Sequence, residues 1–182
     1  MRRRGGSAPS PRSRRGIVGV AIEHLFQGSA LNPVDAKGRV SVPAFLRSVI
    51  ERRGDSKALV LAKHETYPCL HAYDRGYAAV QHAKLERLYE KREVEGGSLG
   101  DYHRSNMLAF GATEDVPYDS TGRILLPPMM RRKGGIADWA LFIGAGETFH
   151  VWNPETFLGD PGVHEDMKDI ARFRMEERGI AA

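Results

Sequence analysis

Two arginines stand in the same short pattern at two places in the chain. The first is Asp35-Ala36-Lys37-Gly38-Arg39-Val40-Ser41-Val42-Pro43, and the second is Asp119-Ser120-Thr121-Gly122-Arg123-Ile124-Leu125-Leu126-Pro127. An arginine at an exposed loop tip can donate two hydrogen bonds to O6 and N7 of guanine in the major groove, or clamp a phosphate. An aspartate four residues earlier suits a salt bridge that braces the turn. The two roles are compatible, because a braced arginine is already set for a ligand. Lys37 adds a cation where the second copy has Thr121, and it reads as a phosphate contact. Arg47 and Arg131 fall equally far past the two prolines. They are either further contacts or parts of a solvated helix face. The candidate site is therefore Asp35, Lys37, Arg39, Arg47, Asp119, Arg123 and Arg131.

Local elements must position these side chains. Asp opens a tight turn by bonding the backbone ahead of it, and Gly supplies positive φ. Residues 40–42 and 124–126 then suit strands. The proline that follows cannot donate to a ladder and ends the strand, and it suits the first position of a helix. Residues 44–53 carry Phe45, Leu46, Val49 and Ile50 on one helical face. The likeness between the copies continues downstream. Ala58-Leu59-Val60-Leu61 answers to Ala140-Leu141-Phe142-Ile143, and His71-Ala72-Tyr73-Asp74 to His150-Val151-Trp152-Asn153. The chain is two copies of one unit of strand, turn, strand, short helix, strand and strand.

Further strands are expected over 26–34, 57–63, 69–73, 113–118, 139–144 and 148–152. Asp74 reads as the N-cap of an amphipathic helix over 77–92. Residues 95–100 are a Gly-rich break, after which Asp101 caps a short helix bearing Met107, Leu108 and Phe110. Asn153 and Pro154 open a last helix. Residues 159–162 interrupt it, and 163–178 form a charged helix expected to pack little. The organisation is an Arg-rich, disordered extension over 1–24, repeat one over 28–74, a helical linker over 75–111, repeat two over 112–155 and a helical tail over 156–182. The extension reads either as a basic nucleic-acid arm or as a mis-set translation start, with Val18 or Val20 as alternatives.

The net charge of +4 belongs to the extension. Six arginines and no acid lie in residues 1–16, which leaves −2 for residues 17–182. Global charge is thus no argument for nucleic acid, but local charge is, since residues 35–53 and 119–133 carry +3 each. No apolar run approaches the roughly 20 residues that span a membrane. The single Cys69 cannot form an internal disulfide, which suits a reducing compartment. Enzyme signatures are absent. His64-Glu65 lacks the second histidine of a zinc-protease helix, Cys69 reads as a buried thiol, and Gly144-Ala145-Gly146 reads as a hairpin turn.

The two Asp-x-x-Gly-Arg turns, with matching strands and proline-led helices, resemble the MraZ family of bacterial transcriptional regulators. The resemblance runs from about residue 26 to about residue 157. It implies a mainly β fold with flanking helices, an AbrB-like swapped-hairpin (double-split) barrel with a pseudo-two-fold made by both repeats. It implies Asp35 with Arg39 and Asp119 with Arg123 on double-stranded DNA, at short G-rich direct repeats in its own promoter, repressing a division and cell-wall gene cluster. A homo-oligomeric ring acting at the nucleoid in the cytoplasm is expected, with no cofactor, metal, membrane or small-molecule substrate. Two other readings are an antitoxin-like AbrB-fold DNA binder and a ring-forming assembly module without DNA function. In the second, Phe142, Phe149 and Trp152 would be interface anchors rather than core.

Overall fold

The computed structural model describes residues 24–54, 56–94 and 96–181; the Arg-rich segment over 1–16 lies outside them. Repeat one supplies β1 (Ser29–Pro33), β2 (Arg39–Ser41), β3 (Ala58–Lys63) and β4 (Leu70–Tyr73), with helix α1 (Ala44–Arg53) after β2. Helices α2 (Tyr77–Val94) and α3 (Leu99–Gly111) join it to repeat two. That repeat supplies β5 (Thr113–Pro117), β6 (Arg123–Leu125), β7 (Trp139–Ala145) and β8 (Thr148–Trp152), with α4 (Pro128–Lys133) after β6. Helices α5 (Pro154–Gly159) and α6 (Glu165–Glu176) follow. Pro43 and Pro127 stand just before the first helical residue, with ψ of 136° and 138°. They end the strand in extended geometry rather than occupying the first helical position.

The repeats exchange strands. Six form one antiparallel sheet in the order β1-β7-β8-β4-β3-β5, and the other two form a β2–β6 ribbon. The first strand of each repeat pairs with the later hairpin of the other, Ser29 opposite Ile143 and Val60 opposite Asp115. The order reads the same when the repeats are swapped, which is the mark of a pseudo-two-fold. The six-stranded sheet stays open at β1 and β5, so its ladders do not close into the expected barrel. Each edge reaches the ribbon through one isolated bridge, Val34–Val40 or Tyr118–Ile124. Helices hold more residues than strands do, but the core is built on the sheet.

Strand alternation divides the apolar residues between two faces. On one face lie Leu46, Ile50, Leu59, Leu61, Ile124, Met130, Phe142 and Phe149, each at most 1% exposed. Such burial contributes about 1.5–3 kcal/mol per large side chain. The other face of the β7–β8 hairpin holds Leu141 and Trp152 against Phe157, Ala171 and Met175. The three aromatics offered as interface anchors are thus core residues. Helix α6 also departs from the expectation of little packing. Met167, Ala171 and Met175 recur every four residues and form one apolar stripe among the charges, and Ala171 and Met175 are fully covered.

The α2–α3 hairpin is packed more thinly. Tyr77 and Ala109 are the buried side chains of the two helices, while Leu88, Met107 and Leu108 are more than half exposed. Ser98, not Asp101, is the N-cap of α3, and Asp101 closes a reciprocal capping box from the third helical position. Asp74 does accept from the Tyr77 amide at 3.2 Å. It also pairs with Arg53 at 2.9 Å, with both side chains under 10% exposed. Arg53 donates further to the carbonyls of His24 and Glu147 at 2.7 Å and lies 4.4 Å from the centre of the Phe26 ring. Among the described residues no helix is long and apolar enough to cross a membrane.

Candidate nucleic-acid interface

In the first turn, one Asp35 carboxylate oxygen accepts from the amides of Lys37 and Arg39, both at 2.9 Å. The other accepts from Arg39 Nε at 2.7 Å. The Asp35 carbonyl accepts from the Gly38 amide at 2.8 Å, where φ is 82°, a conformation that only glycine adopts without strain. The Arg39 amide and guanidinium hold the Asp35 carboxyl below its ordinary range, so it stays charged. The second turn repeats this. Asp119 accepts from the Thr121 and Arg123 amides at 2.9 and 3.0 Å and from Arg123 Nε at 3.0 Å, with Gly122 at φ 79°. The Thr121 hydroxyl adds a bond at 2.6 Å. That bond first, and then the Arg123 amide, drives the Asp119 carboxyl far below the usual range.

The turns open onto the ribbon. Arg39 lies opposite Leu125, Val40 opposite Ile124 and Ser41 opposite Arg123. Val40 and Ile124 are 1% exposed, so the other four residues share the outward face. Arg39 and Arg123 are diagonal neighbours there, about 7–8 Å apart along the backbone diagonal. Each arginine side chain keeps 42% of its surface in solvent. Lys37 is exposed at the tip of the first turn.

Arg47 and Arg131 are partly buried and reach beyond their own repeat. Arg47 Nε donates to the Val42 carbonyl at 3.1 Å, and its guanidinium lies against Gly122 of the other repeat, where any Cβ would overlap it. Arg131 donates to the carbonyls of Ile136 and Ala137 at 3.0 and 3.1 Å, and its tip lies 3.5 Å from where a Cβ on Gly38 would stand. Backbone bonds cross the same way, from the Val42 amide to the Gly122 carbonyl and from Leu126 to Gly38, both 2.9 Å. Each cationic corner thus joins the turn of one repeat to the helix of the other. The equal spacing of Arg47 and Arg131 was the only sequence signal for this.

The remaining reactive side chains lie in or beside the six-stranded sheet. Cys69 is buried and its thiol is pushed up to about 12 by desolvation. His71 and His150 face each other across β4–β8. Burial, and then His64 nearby, lowers each to about 4. His64 stands 4.6 Å from His150, ring centre to ring centre, and its Nδ1 accepts from the Thr66 and Tyr67 amides at 3.1 Å. That nitrogen is committed to the loop. Among the described residues no cluster of His, Cys, Asp and Glu could hold a metal ion.

Two strand-exchanged repeats that set a pair of aspartate-braced arginines on a shared ribbon define a protein that offers matched cationic groups on one exposed face. No family model matches the chain. It is 32% identical over 149 residues to the transcriptional regulator MraZ of Rhodospirillum rubrum, covering 80% of this chain and 90% of the relative. It is 34% identical over 134 residues to that of Coxiella burnetii, covering 70% and 79%. For Gluconacetobacter diazotrophicus the match is 31% over 134 residues, covering 71% and 79%. The chain belongs to the MraZ family.

Proposed function

We propose that this protein is a sequence-specific DNA-binding transcriptional regulator that docks the β2–β6 ribbon and its two turns on double-stranded DNA. The observation that carries this reading is the placement of Arg39 and Arg123, each held by an aspartate, on one solvent-facing two-stranded ribbon. The major groove admits such a ribbon, and arginine suits guanine there. Asp35 and Asp119 orient the arginines, Lys37 meets phosphate, and Arg47 and Arg131 support the turns from across the pseudo-two-fold with their remaining donors towards the backbone. The name carried by the relatives, transcriptional regulator, supports the same reading.

The finer parts belong to the same proposal. The strand exchange is read as a swapped-hairpin, double-split barrel whose wall is completed by the ribbon. Targets are short G-rich direct repeats in the protein's own promoter, through which it represses the division and cell-wall genes at the nucleoid. Copies assemble into a ring, for which the exposed Leu88, Met107 and Leu108 offer apolar surface. Heterologous contacts close into rings, and rotation-related subunits match directly repeated sites.

Gel shifts with the promoter of the protein's own operon test the function, with specific and unrelated competitor DNA. Saturable binding that only specific competitor displaces is expected. Absence of binding at low salt would leave the assembly module as the better account. Light scattering at micromolar concentration tests the ring, and a monomer or simple dimer would remove it.

A further inference from the structure

The outward face of the ribbon is not symmetric. The pseudo-two-fold maps Arg39 onto Arg123, but it maps Ser41 onto Leu125. Register then makes two unlike pairs, Arg39 beside Leu125 and Arg123 beside Ser41. Leu125 is 57% exposed, whereas its neighbours Ile124 and Leu126 are 1% and 2% exposed. The core on this strand is therefore filled by the flanking residues, and the Leu125 side chain stands with the polar groups that face outward. Lone exposed leucines are ordinary on a surface. This one sits directly across from a base-reading candidate, on a strand narrow enough to enter the groove.

We propose that Leu125 and Ser41 give the DNA-reading ribbon a direction. Leu125 contacts the C5-methyl of a thymine next to the base taken by Arg39, and Ser41 meets the base next to Arg123 through its hydroxyl. This rests on the DNA-binding reading above. In the major groove thymine alone among the four bases presents a methyl group, and apolar side chains recognise it, while serine accepts several bases. The Arg39 half is therefore the stricter one and demands a thymine step. The Arg123 half is more tolerant. A single chain then recognises a non-palindromic site and sits on it in one orientation, although its backbone is nearly two-fold.

The test uses the full chain and duplexes selected from a random-sequence pool. Each thymine of the selected site is then replaced singly by deoxyuridine, which removes only the methyl. One position beside a guanine is expected to lose roughly four-fold in affinity, the worth of one buried methyl-sized group. Leu125→Ser should bind the thymine and deoxyuridine duplexes equally. Ser41→Leu should gain a thymine preference at the mirrored position. Since Leu125 lies outside the core, circular dichroism of Leu125→Ser is expected to match wild type. A pool that shows no enrichment overturns the DNA-binding reading, and this inference with it. Enrichment with deoxyuridine tolerated at every position overturns the role of Leu125 alone. So does uracil sensitivity that persists in Leu125→Ser. Complete loss of binding by the folded Leu125→Ser also overturns it, because one methyl contact cannot carry the whole affinity.

Discussion

Of the four strand pairings between the repeats, two join equivalent strands, β2 with β6 and β4 with β8, and these two have opposite fates. At the β2–β6 ribbon, Val40 faces Ile124, and the arginines beside them stay in water. At β4–β8, His71 faces His150, and both are partly buried and neutral. The pairing rule is the same, with equivalent residues of both repeats drawn to one axis. What differs is the cover. The β4–β8 pair lies in the middle of the six-stranded sheet, with His64 of the loop edge-on to both histidines and Tyr67 tilted against His150. Nothing among the described residues covers the outer face of the ribbon. Symmetry thus supplies paired chemical groups twice, and burial decides that one pair is structural and the other available to a partner.

The largest test of this contrast is at the exposed pair. Arg39→Ala is expected to abolish detectable specific DNA binding, since a bidentate base contact is worth about 1–3 kcal/mol and is repeated in every subunit of a ring. Arg123→Ala should be milder, because its turn lacks the cation at position 37. Operator titrations with circular dichroism as the folding control read both. Equal damage would remove the asymmetry between the turns, and normal binding by folded Arg39→Ala would remove the ribbon from the site.

The partly buried pair should respond to acid instead. An unfolded histidine takes its proton near 6.5, and these two do so in the folded chain only near 4. Between those values the unfolded chain binds more protons, so stability falls as pH drops through that window. The loss is about 1–3 kcal/mol per histidine. Lys84 and His64 nearby add to the effect for His71. The ribbon turns should hold through the same window, because Asp35 and Asp119 carry lowered pKa values. Their contribution is lost only below the ordinary carboxylate range. Urea denaturation of wild type and His71→Phe from pH 7 to pH 4.5 measures this. A variant with the full wild-type acid slope would show that the strain lies elsewhere.

Two smaller changes sharpen the comparison within the ribbon. Gly38→Ala and Gly122→Ala each force a residue with a side chain to positive φ, at about 1–2 kcal/mol. Gly122→Ala must also displace the Arg47 guanidinium, so it should cost about 1 kcal/mol more for the lost hydrogen bond. Equal midpoints in thermal melts would show that Arg47 does not brace that turn. Lys37→Ala should lower the slope of log affinity against log salt by about 0.9 per phosphate lost, with base preference unchanged. Thr121→Lys should raise it by as much. A change in the selected sequence would make Lys37 a base contact.

Much of the site was legible because its bonds are local. Asp35 reaches positions two and four residues ahead, so the residue types at that spacing carry the geometry with them. Most strand limits also fell within a residue or two of the apolar runs. The capping box at Ser98 was equally local, and reading Asp101 as the cap passed over it. Two misses were of another kind. Arg53 meets Asp74 across 21 residues and Glu147 across 94, and in sequence it is one more arginine at a helix end. The apolar stripe of α6 was hidden in a segment dominated by charge.

The sequence by itself determined the repeat, the two turns with their glycines at positive φ, and the aspartate brace on each arginine. All of these follow from bonds closed within a few residues. Only the tertiary structure decided that β1 pairs with β7 and β5 with β3, that Arg47 serves the turn at Gly122 and Arg131 the turn at Gly38, and that Leu125 rather than a polar residue stands beside Arg39. Each repeat alone offers strands that could pair with its own hairpin just as well on pattern. The exchange prevails because it lets both repeats bury their apolar faces in one core, a gain that grows with the area removed from water and has no signature in any single stretch of chain.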